Sequence, residues 1–286
     1  MKPSSREAAM ETQRYVKTGQ ESFFGDYLYD RVVPENHFLR KLRELIDWDR
    51  FTRKLIKLYK GEGVVGRPPF DPALLLRVEL IAYLYNLSER EVETYINDCL
   101  SAKYFVGLAI DECAPDHSTL TKFRERLIAR GKLKIFEEML QEIVCIAIEQ
   151  DIQFGSIQIV DSVHSVANVN TDKDRRRHDK GKVPHDPDAK WGVKHQHKVK
   201  NENGNDVTQT QYFLLCMPSA KIERKFGEGK QDHGLGRCSY LGQIGFTIQN
   251  FFTAIVLNLK RMVKLLTEVG FKTASQGNML MVAQGR

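Results

Sequence analysis

One aspartate lies at the end of an apolar stretch. Asp161 follows the segment IQIV in IQIVDS, whose Ile and Val content and alternation are typical of a strand. An unpaired carboxylate inside an apolar strand is costly, so Asp161 needs a partner. One interpretation is a metal ligand on a strand of an α/β core. The other is an aspartate at the strand end that bonds to the following turn, and the local sequence leaves both open.

A second candidate pair lies in KIERKFGEGK, residues 221–230. Glu223 and Lys230 are seven residues apart, which places them on the same face of a helix about two turns from each other. A helix can present an acid and a base to one phosphate in this way. Glu and Lys are also common on solvated helix faces, so the pair by itself does not establish a site.

Clustered basic residues follow the predicted strand. The segments DKDRRRHDKGKVPHDPDAKW and KHQHKVK contain Arg175, Arg176, Arg177 and Lys194, which could neutralise the phosphates of a nucleic acid. The interleaved aspartates dilute this positive charge, and a solvated loop is an equal alternative. The four histidines of these segments match no zinc-binding spacing and have no cysteine nearby.

The composition permits a nucleic-acid partner without requiring one. The 286 residues are 42% hydrophobic and 28% charged, with a formal net charge of +6. Many proteins without such a partner are equally basic. Five cysteines without C-x-x-C spacing indicate reduced thiols. The N-terminus has no apolar signal region, and the late stretch IGFTIQNFFTAIVLNL carries Gln and Asn. We therefore expect a cytoplasmic protein without a membrane span.

The first half of the sequence carries several helix-start signals. Asp71 followed by Pro72 predicts a capped helix start, and the apolar residues ALLLRVELIAYLYN after it predict a central helix. Ser88 and Glu91 form a capping box. Ser118 is expected to cap a further helix. These signals predict an all-helical region.

The periodicity changes at residue 155. The segment GSIQIVDSVHSVANVN predicts one or two strands, the charged stretch after it a loop, and VTQTQYFLLCM a further strand. Helix is expected again from residue 218 to Gly270. The expected fold class is therefore mixed α and β, predominantly α. The predicted organisation is a helical, DNA-binding domain at 1–150, a second domain at 151–270 and a frayed tail at 271–286.

Taken in order, these segments resemble the DDE transposases of bacterial insertion sequences. The resemblance runs from about residue 20 to residue 266. It rests on GRPPFDPALLLRVELIAYLYNLSEREVETYI and APDHSTLTKFRERL in the helical region, on VDSVHSVANVN and DPDAKWGVK around the predicted strands, and on KIERKFGEGKQDHGLGRCSYLG with FTAIVLNLKRMVKLL after them.

The resemblance implies a ribonuclease-H-like catalytic domain and DNA cleavage with strand transfer. In this family an Asp, a second Asp and a Glu bind two divalent metals, Mg²⁺ or Mn²⁺, about 3.5–4 Å apart. By motif, Asp161 would be the first acid and Glu223 the last, and both would be metal ligands. Lys230 would contact a DNA phosphate. The implied partner is the terminal inverted repeats of an insertion sequence, with possible homo-oligomers, in the bacterial nucleoid.

The sequence departs from this family between its two acids. Only about 60 residues separate Asp161 from Glu223, and no aspartate among them lies in an apolar strand. The candidates are Asp172, Asp174, Asp179, Asp186, Asp188 and Asp206. The family spacing Y-(2)-R-(3)-E-(6)-K places Cys216 and Ser219 where Tyr and Arg are expected. We therefore expect an internal deletion near FLLCMPSA, a catalytically defective protein, and as an alternative a DNA-binding remnant that regulates an intact transposase.

Overall fold

The computed structural model describes residues 15–16, 18, 23–59, 68–131, 133–152, 165–200, 206–216, 223–240 and 242–271. Asp161 and Ser219 lie outside the described residues. The chain divides into two compact units. Unit 1 comprises residues 1–153 and 255–286, and unit 2 comprises residues 154–254.

Among the described residues of unit 1, the regular secondary structure is helical, apart from an isolated bridge between Val16 and Phe70. A 3₁₀ turn at Ile56–Tyr59 follows the third helix, and a π-helical turn at Leu127–Gly131 follows the seventh. The helices are α1 Phe23–Val32, α2 Phe38–Leu45, α3 Asp49–Leu55, α4 Pro72–Tyr85, α5 Glu89–Asp98, α6 Leu100–Val106, α7 His117–Arg126 and α8 Lys134–Glu149.

Helix α4 is the centre of unit 1. It contacts α3, α5, α6 and α7, and its apolar side chains are buried on most sides, as the sequence predicts. Asp71 caps it by accepting a hydrogen bond from the backbone N–H of Ala73 at 3.0 Å. Its one buried carboxylate, Glu79, accepts hydrogen bonds from Arg124 of α7 at 3.1 and 3.2 Å. Burial without a partner would be costly, so this pair fixes α7 against α4.

The predicted capping box is confirmed and the predicted cap at Ser118 is wrong. The Ser88 hydroxyl accepts from the N–H of Glu91, and the Glu91 carboxylate accepts from the N–H of Ser88. At the start of α7 the cap is Asp116, whose carboxylate accepts from the N–H of Thr119 at 2.9 Å. Ser118 lies inside the helix and donates its hydroxyl to Asp116 at 2.6 Å.

Unit 2 contains strands and helices. Among its described residues β1 Ser165–Val166, β2 Ala189–Lys200 and β3 Asp206–Cys216 form an antiparallel sheet in the order β1-β3-β2. Helix α9 Thr171–Asp179 lies between β1 and β2 in the sequence, and α10 Glu223–Asp232 follows β3. The predicted loop is wrong at 171–179 and at 189–200, because α9 and β2 form there. The predicted strand at VTQTQYFLLCM is confirmed as β3.

The longest helix, α11 Gly242–Thr267, contributes residues to both units. Its later part, from Ile255, belongs to unit 1, where Ile255 and Leu259 line a small apolar cavity with Phe51, Leu76 and Met139. The cavity volume of about 10 Å³ leaves no room for a ligand. No helix among the described residues is long and apolar enough to cross a membrane. The predominantly α class is confirmed.

Candidate active site

Helix α10 carries the predicted acid and base. It begins at Glu223, and Lys230 lies seven residues later with an exposed side chain. Seven residues correspond to about two helical turns, so both positions lie on the same face of α10. The residue before Lys230, Gly229, is buried. The structure therefore holds one side of α10 against the protein and leaves Lys230 in solvent.

Gly229 allows α10 to approach α11 closely. A Cβ at this position would lie 3.2 Å from Cδ2 of Leu235 and 3.2 Å from Cγ2 of Thr253. Such distances are tighter than ordinary van der Waals contact, so a larger residue would push the two helices apart. The orientation of α10, and with it the position of Glu223 and Lys230, thus depends on a residue without a side chain.

The turn between α10 and α11 is held by the amide of Gln249. Its side chain is almost completely buried and accepts a hydrogen bond from the N–H of Ser239 at 2.8 Å. It donates to the carbonyl oxygens of Gly234 at 3.1 Å and Arg237 at 3.0 Å. A buried amide satisfied on both its oxygen and its nitrogen fixes the backbone it contacts.

Two aspartates hold the N-terminus of α11. The carboxylate of Asp186 is fully buried and accepts from the N–H of Gly242 at 2.9 Å, and Asp188 accepts from the N–H of Gln243 at 2.9 Å. These N–H groups have no partner within the helix, and a negative charge at this end is favourable. Asp186 and Asp188 therefore cap α11.

The chain after β1 is joined to the same turn. The side-chain amide of Asn168 donates to the carbonyl oxygen of Ser239 at 2.9 Å, and Arg237 donates to the carbonyl oxygen of Val169 at 3.3 Å. Nearby, Ala167, Val169, Ala189, Cys238 and Phe246 form a small buried cluster. The segment that follows Asp161 in sequence thus contacts the segment that follows Glu223.

The side chains of the two predicted acids lie outside the part of the chain that the structure describes. Asp161 lies outside the described residues, and the structure describes only the backbone of Glu223. In the part of the chain that is described, no group of three His, Cys, Asp or Glu side chains is arranged to hold a metal ion.

The other aspartates between the predicted acids have different surroundings. Asp174 is buried and accepts from the N–H of His185 at 3.2 Å. Asp172 and Asp179 are exposed on α9, and Asp206 begins β3. Among the described side chains of this segment, the two buried carboxylates, Asp174 and Asp186, both accept hydrogen bonds from backbone N–H groups.

The predicted DNA-contacting arginines lie on α9. Arg175 and Arg176 are exposed. Arg177 is partly exposed, its Nε lies 3.6 Å from Oδ1 of Asp174, and it donates to the carbonyl oxygen of Val183 at 3.2 Å. Lys194 belongs to β2, and the structure describes only its backbone. Arg177 therefore has a structural role in closing the turn after α9.

Sequence reasoning missed Gln249, Asp186 and Asp188 as organising residues. The sequence carries a signal for each of these three residues. Gln249 is a polar residue within an apolar helix pattern, and HDPD places two acceptors beside a proline in a turn. Their partners could not be read from the sequence, because Gly242 is 56 residues from Asp186.

Two family models match the chain. The Transposase domain (DUF772) model matches residues 27–126, from within α1 to the end of α7, and the Transposase DDE domain model matches residues 184–263. Together they cover more than half of the chain. The chain belongs to the DDE transposases of insertion sequences. No solved structure matches it. For a DDE transposase the family implies a divalent metal and binding to insertion-sequence ends.

Proposed function

We propose that this transposase-family protein binds insertion-sequence DNA and does not catalyse cleavage or strand transfer, because its acid triad is incomplete. Asp161 and Glu223 are its first and last acids, and the region of the second Asp is missing. Lys230, exposed on α10, contacts the DNA backbone. The second domain is a truncated ribonuclease-H-like domain.

The short interval between β3 and α10 carries this proposal. Strand β3 ends at Cys216 and α10 begins at Glu223, so only residues 217–222 lie between them. A parallel strand requires a crossover connection of about a dozen or more residues, so a further core strand with an Asp does not fit into this interval. The Transposase DDE domain match includes residues on both sides of it.

The engagement of the remaining aspartates supports the same proposal. Asp174 and Asp186 are buried and accept hydrogen bonds from backbone N–H groups. Using either one as a metal ligand would remove a cap or a turn contact. Two acids without the third hold two metals weakly, and Mg²⁺ or Mn²⁺ binding is expected to be impaired.

A second candidate function is regulation of an intact transposase. The Transposase domain (DUF772) match runs from residue 27, within α1, to residue 126, the last residue of α7. A protein that keeps this domain and lacks catalysis would compete for shared DNA ends or form mixed oligomers. This alternative predicts that the protein lowers the activity of an intact relative in a mixing assay.

The test is a cleavage assay with the purified full chain. A labelled duplex carrying the inverted repeat that flanks the gene is incubated with Mg²⁺ or Mn²⁺, beside the double variant Asp161→Asn, Glu223→Gln as a control for contaminating nuclease. We expect binding to this duplex, and no nicked or joined product above that of the double variant. Product from the natural chain and none from the double variant would overturn the proposed defect.

A further inference from the structure

Two arginines of unit 1 meet at the C-terminal end of α6. Arg43 of α2 donates from Nη1 to the carbonyl oxygen of Tyr104, and its guanidinium lies 4.4 Å from the centre of the Tyr104 ring. Arg77 of α4 donates from Nη1 to the carbonyl oxygen of Phe105 at 3.4 Å. Its guanidinium also lies 5.5 Å from the Trp48 ring. Both arginines are partly exposed.

A glycine makes room for this pair. Gly107 ends α6 with a φ of +87°, a conformation that favours glycine. A Cβ on Gly107 would lie 3.0 Å from Nη1 and 3.2 Å from Nη2 of Arg77. The Arg77 guanidinium therefore occupies the space that any other residue at this turn would fill.

Neither arginine pairs with a carboxylate among the described residues. In the part of the chain that the structure describes, no Asp or Glu oxygen lies within 4.0 Å of either guanidinium, whereas Arg40 beside them pairs with Asp30 and Glu44. Burial and the charge of Arg43 lower the pKa of Arg77 to about 10, and the charges of Asp71 and Asp49 oppose this shift. Two like charges in a partly buried place are unfavourable until an anion joins them.

The hydrogen bonds to the carbonyl groups at the end of α6 do not use all the N–H donors of Arg43 and Arg77. A guanidinium carries five N–H groups in a planar fork. Arg43 uses one of them on Tyr104, and Arg77 uses one on Phe105 and its Nε on the carbonyl oxygen of Ala73 at 3.3 Å. Several N–H donors of each guanidinium remain, and a planar fork of such donors suits phosphate oxygens in general.

We propose that Arg43 and Arg77 together bind one phosphate of the DNA backbone. This inference rests on the proposed DNA-binding function and assigns part of it to unit 1. Both arginines lie within the segment that matches the Transposase domain (DUF772) model. The contact reads no sequence, so it positions the helical unit on any duplex.

The experiment measures binding of the full chain to a fluorescent duplex of mixed sequence, about 30 base pairs long, by anisotropy between about 50 and 200 mM salt. The variants are Arg43→Gln and Arg77→Gln, singly and together. Arg53→Gln is the matched control, since Arg53 is 67% exposed on α3 and contacts only Asp47, at 3.6 Å, among its described ion-pair partners. Each test variant should weaken binding about tenfold. It should also make the negative slope of log K against log salt shallower by about 1, and the control should change neither quantity.

Further variants and melting measurements separate loss of the phosphate contact from loss of charge or of folding. Arg43→Lys and Arg77→Lys retain the charge, so they should keep the salt slope and lose affinity because the fork is gone. Thermal melting of every variant reports whether it is folded. Melting of the natural chain in inorganic phosphate and in chloride at equal ionic strength tests for a small-anion site.

The outcomes separate this inference from the proposed function. If the natural chain binds the duplex and the folded double variant binds equally well with the same slope, the phosphate contact is refuted and DNA binding stands. If the natural chain does not bind the mixed-sequence duplex, the phosphate contact is refuted, and binding to the inverted-repeat duplex decides the proposed function separately. Stabilisation by inorganic phosphate without duplex binding would assign the pair to a small anion and overturn the DNA assignment.

Discussion

The buried carboxylate of Asp186 accepts a hydrogen bond of 2.9 Å from the backbone N–H of Gly242, the first residue of α11. The same carboxylate accepts from the N–H of Asp188 at 3.0 Å. One side chain thus fixes the turn before β2 and the start of the longest helix. This residue, which the family resemblance left without a role, is a main structural constraint of unit 2.

Asp186→Ala should destabilise unit 2. The change leaves N–H groups at the start of α11 unsatisfied, and we expect the free energy of unfolding to fall by about 1–3 kcal/mol. Urea unfolding followed by circular dichroism measures it. The control is Asp179→Ala, whose carboxylate is exposed at the end of α9, with an expected change within about 0.5 kcal/mol. Equal stability of the two variants would contradict the capping role.

Gly245→Ala should destabilise α11 although alanine favours helices. An ideal Cβ on Gly245 would lie 2.5 Å from Cβ of Tyr240. The resulting shift should cost about 1–3 kcal/mol, more than the roughly 1 kcal/mol that alanine gains over glycine in a helix. Gly236→Ala is the control, because nothing lies within 4 Å of its Cβ position. Melting temperatures check both, and a Gly245→Ala protein that melts higher than the natural chain would refute the contact.

Glu79→Gln should change the pH dependence of unfolding. Burial raises the pKa of Glu79 above its ordinary value of 4.5, and the charge of Arg124 opposes that shift. A raised pKa in the folded state gives a contribution to stability that is present below pH 4.5 and is lost as the pH rises through the folded pKa. Glutamine does not titrate, so the stability of Glu79→Gln relative to the natural chain should increase with pH above 4.5.

Glu91→Gln provides the opposite case when the free energy of unfolding is measured as a function of pH. Hydrogen bonds from the backbone N–H and the side chain of Ser88 lower the pKa of Glu91. Its contribution to stability is therefore present above its ordinary pKa and is lost as the pH falls through the folded value. Relative to the natural chain, Glu91→Gln should lose stability as the pH rises. Parallel pH profiles for the two variants would be inconsistent with their different environments.

Asp116→Ala should destabilise α7 more than Ser118→Ala. Asp116 accepts from the N–H of Thr119, and loss of such a cap costs about 0.5–2 kcal/mol. Ser118 is exposed and contributes only its hydroxyl hydrogen bond to Asp116. Urea unfolding of the two alanine variants measures the difference. A larger loss for Ser118→Ala would restore the sequence-based assignment of the cap.

The helix starts in unit 1 illustrate what local sequence can predict. Asp71 beside Pro72, and Ser88 three residues before Glu91, are signals that depend only on neighbours, and both caps form. At α7 the predicted cap, Ser118, and the cap that forms, Asp116, are both residue types that suit an N-cap. The extended backbone of Asp116 decides between them, and that conformation is not visible in residue types.

The charged stretch of unit 2 shows the limit of periodicity. Helix α9 carries no buried apolar residue among its described side chains, and its buried position is Asp174. A method that follows apolar residues therefore has no pattern to detect. Strand β2 is polar along most of its length and pairs with β3 through the backbone. The bonds of Asp186 and Gln249 are equally hidden, since they depend on which distant segments meet.

The assignment of α11 to both units has a consequence for synthesis. Unit 1 begins with the first residues of the chain and is completed only by Ile255 and Leu259, which line the same cavity as Phe51 and Met139. A ribosome must therefore translate all of unit 2 before the helical unit can close its apolar core. A transcript cut or frameshifted within residues 154–254 would release a helical unit with part of that core open to solvent, a substrate for chaperones and proteases.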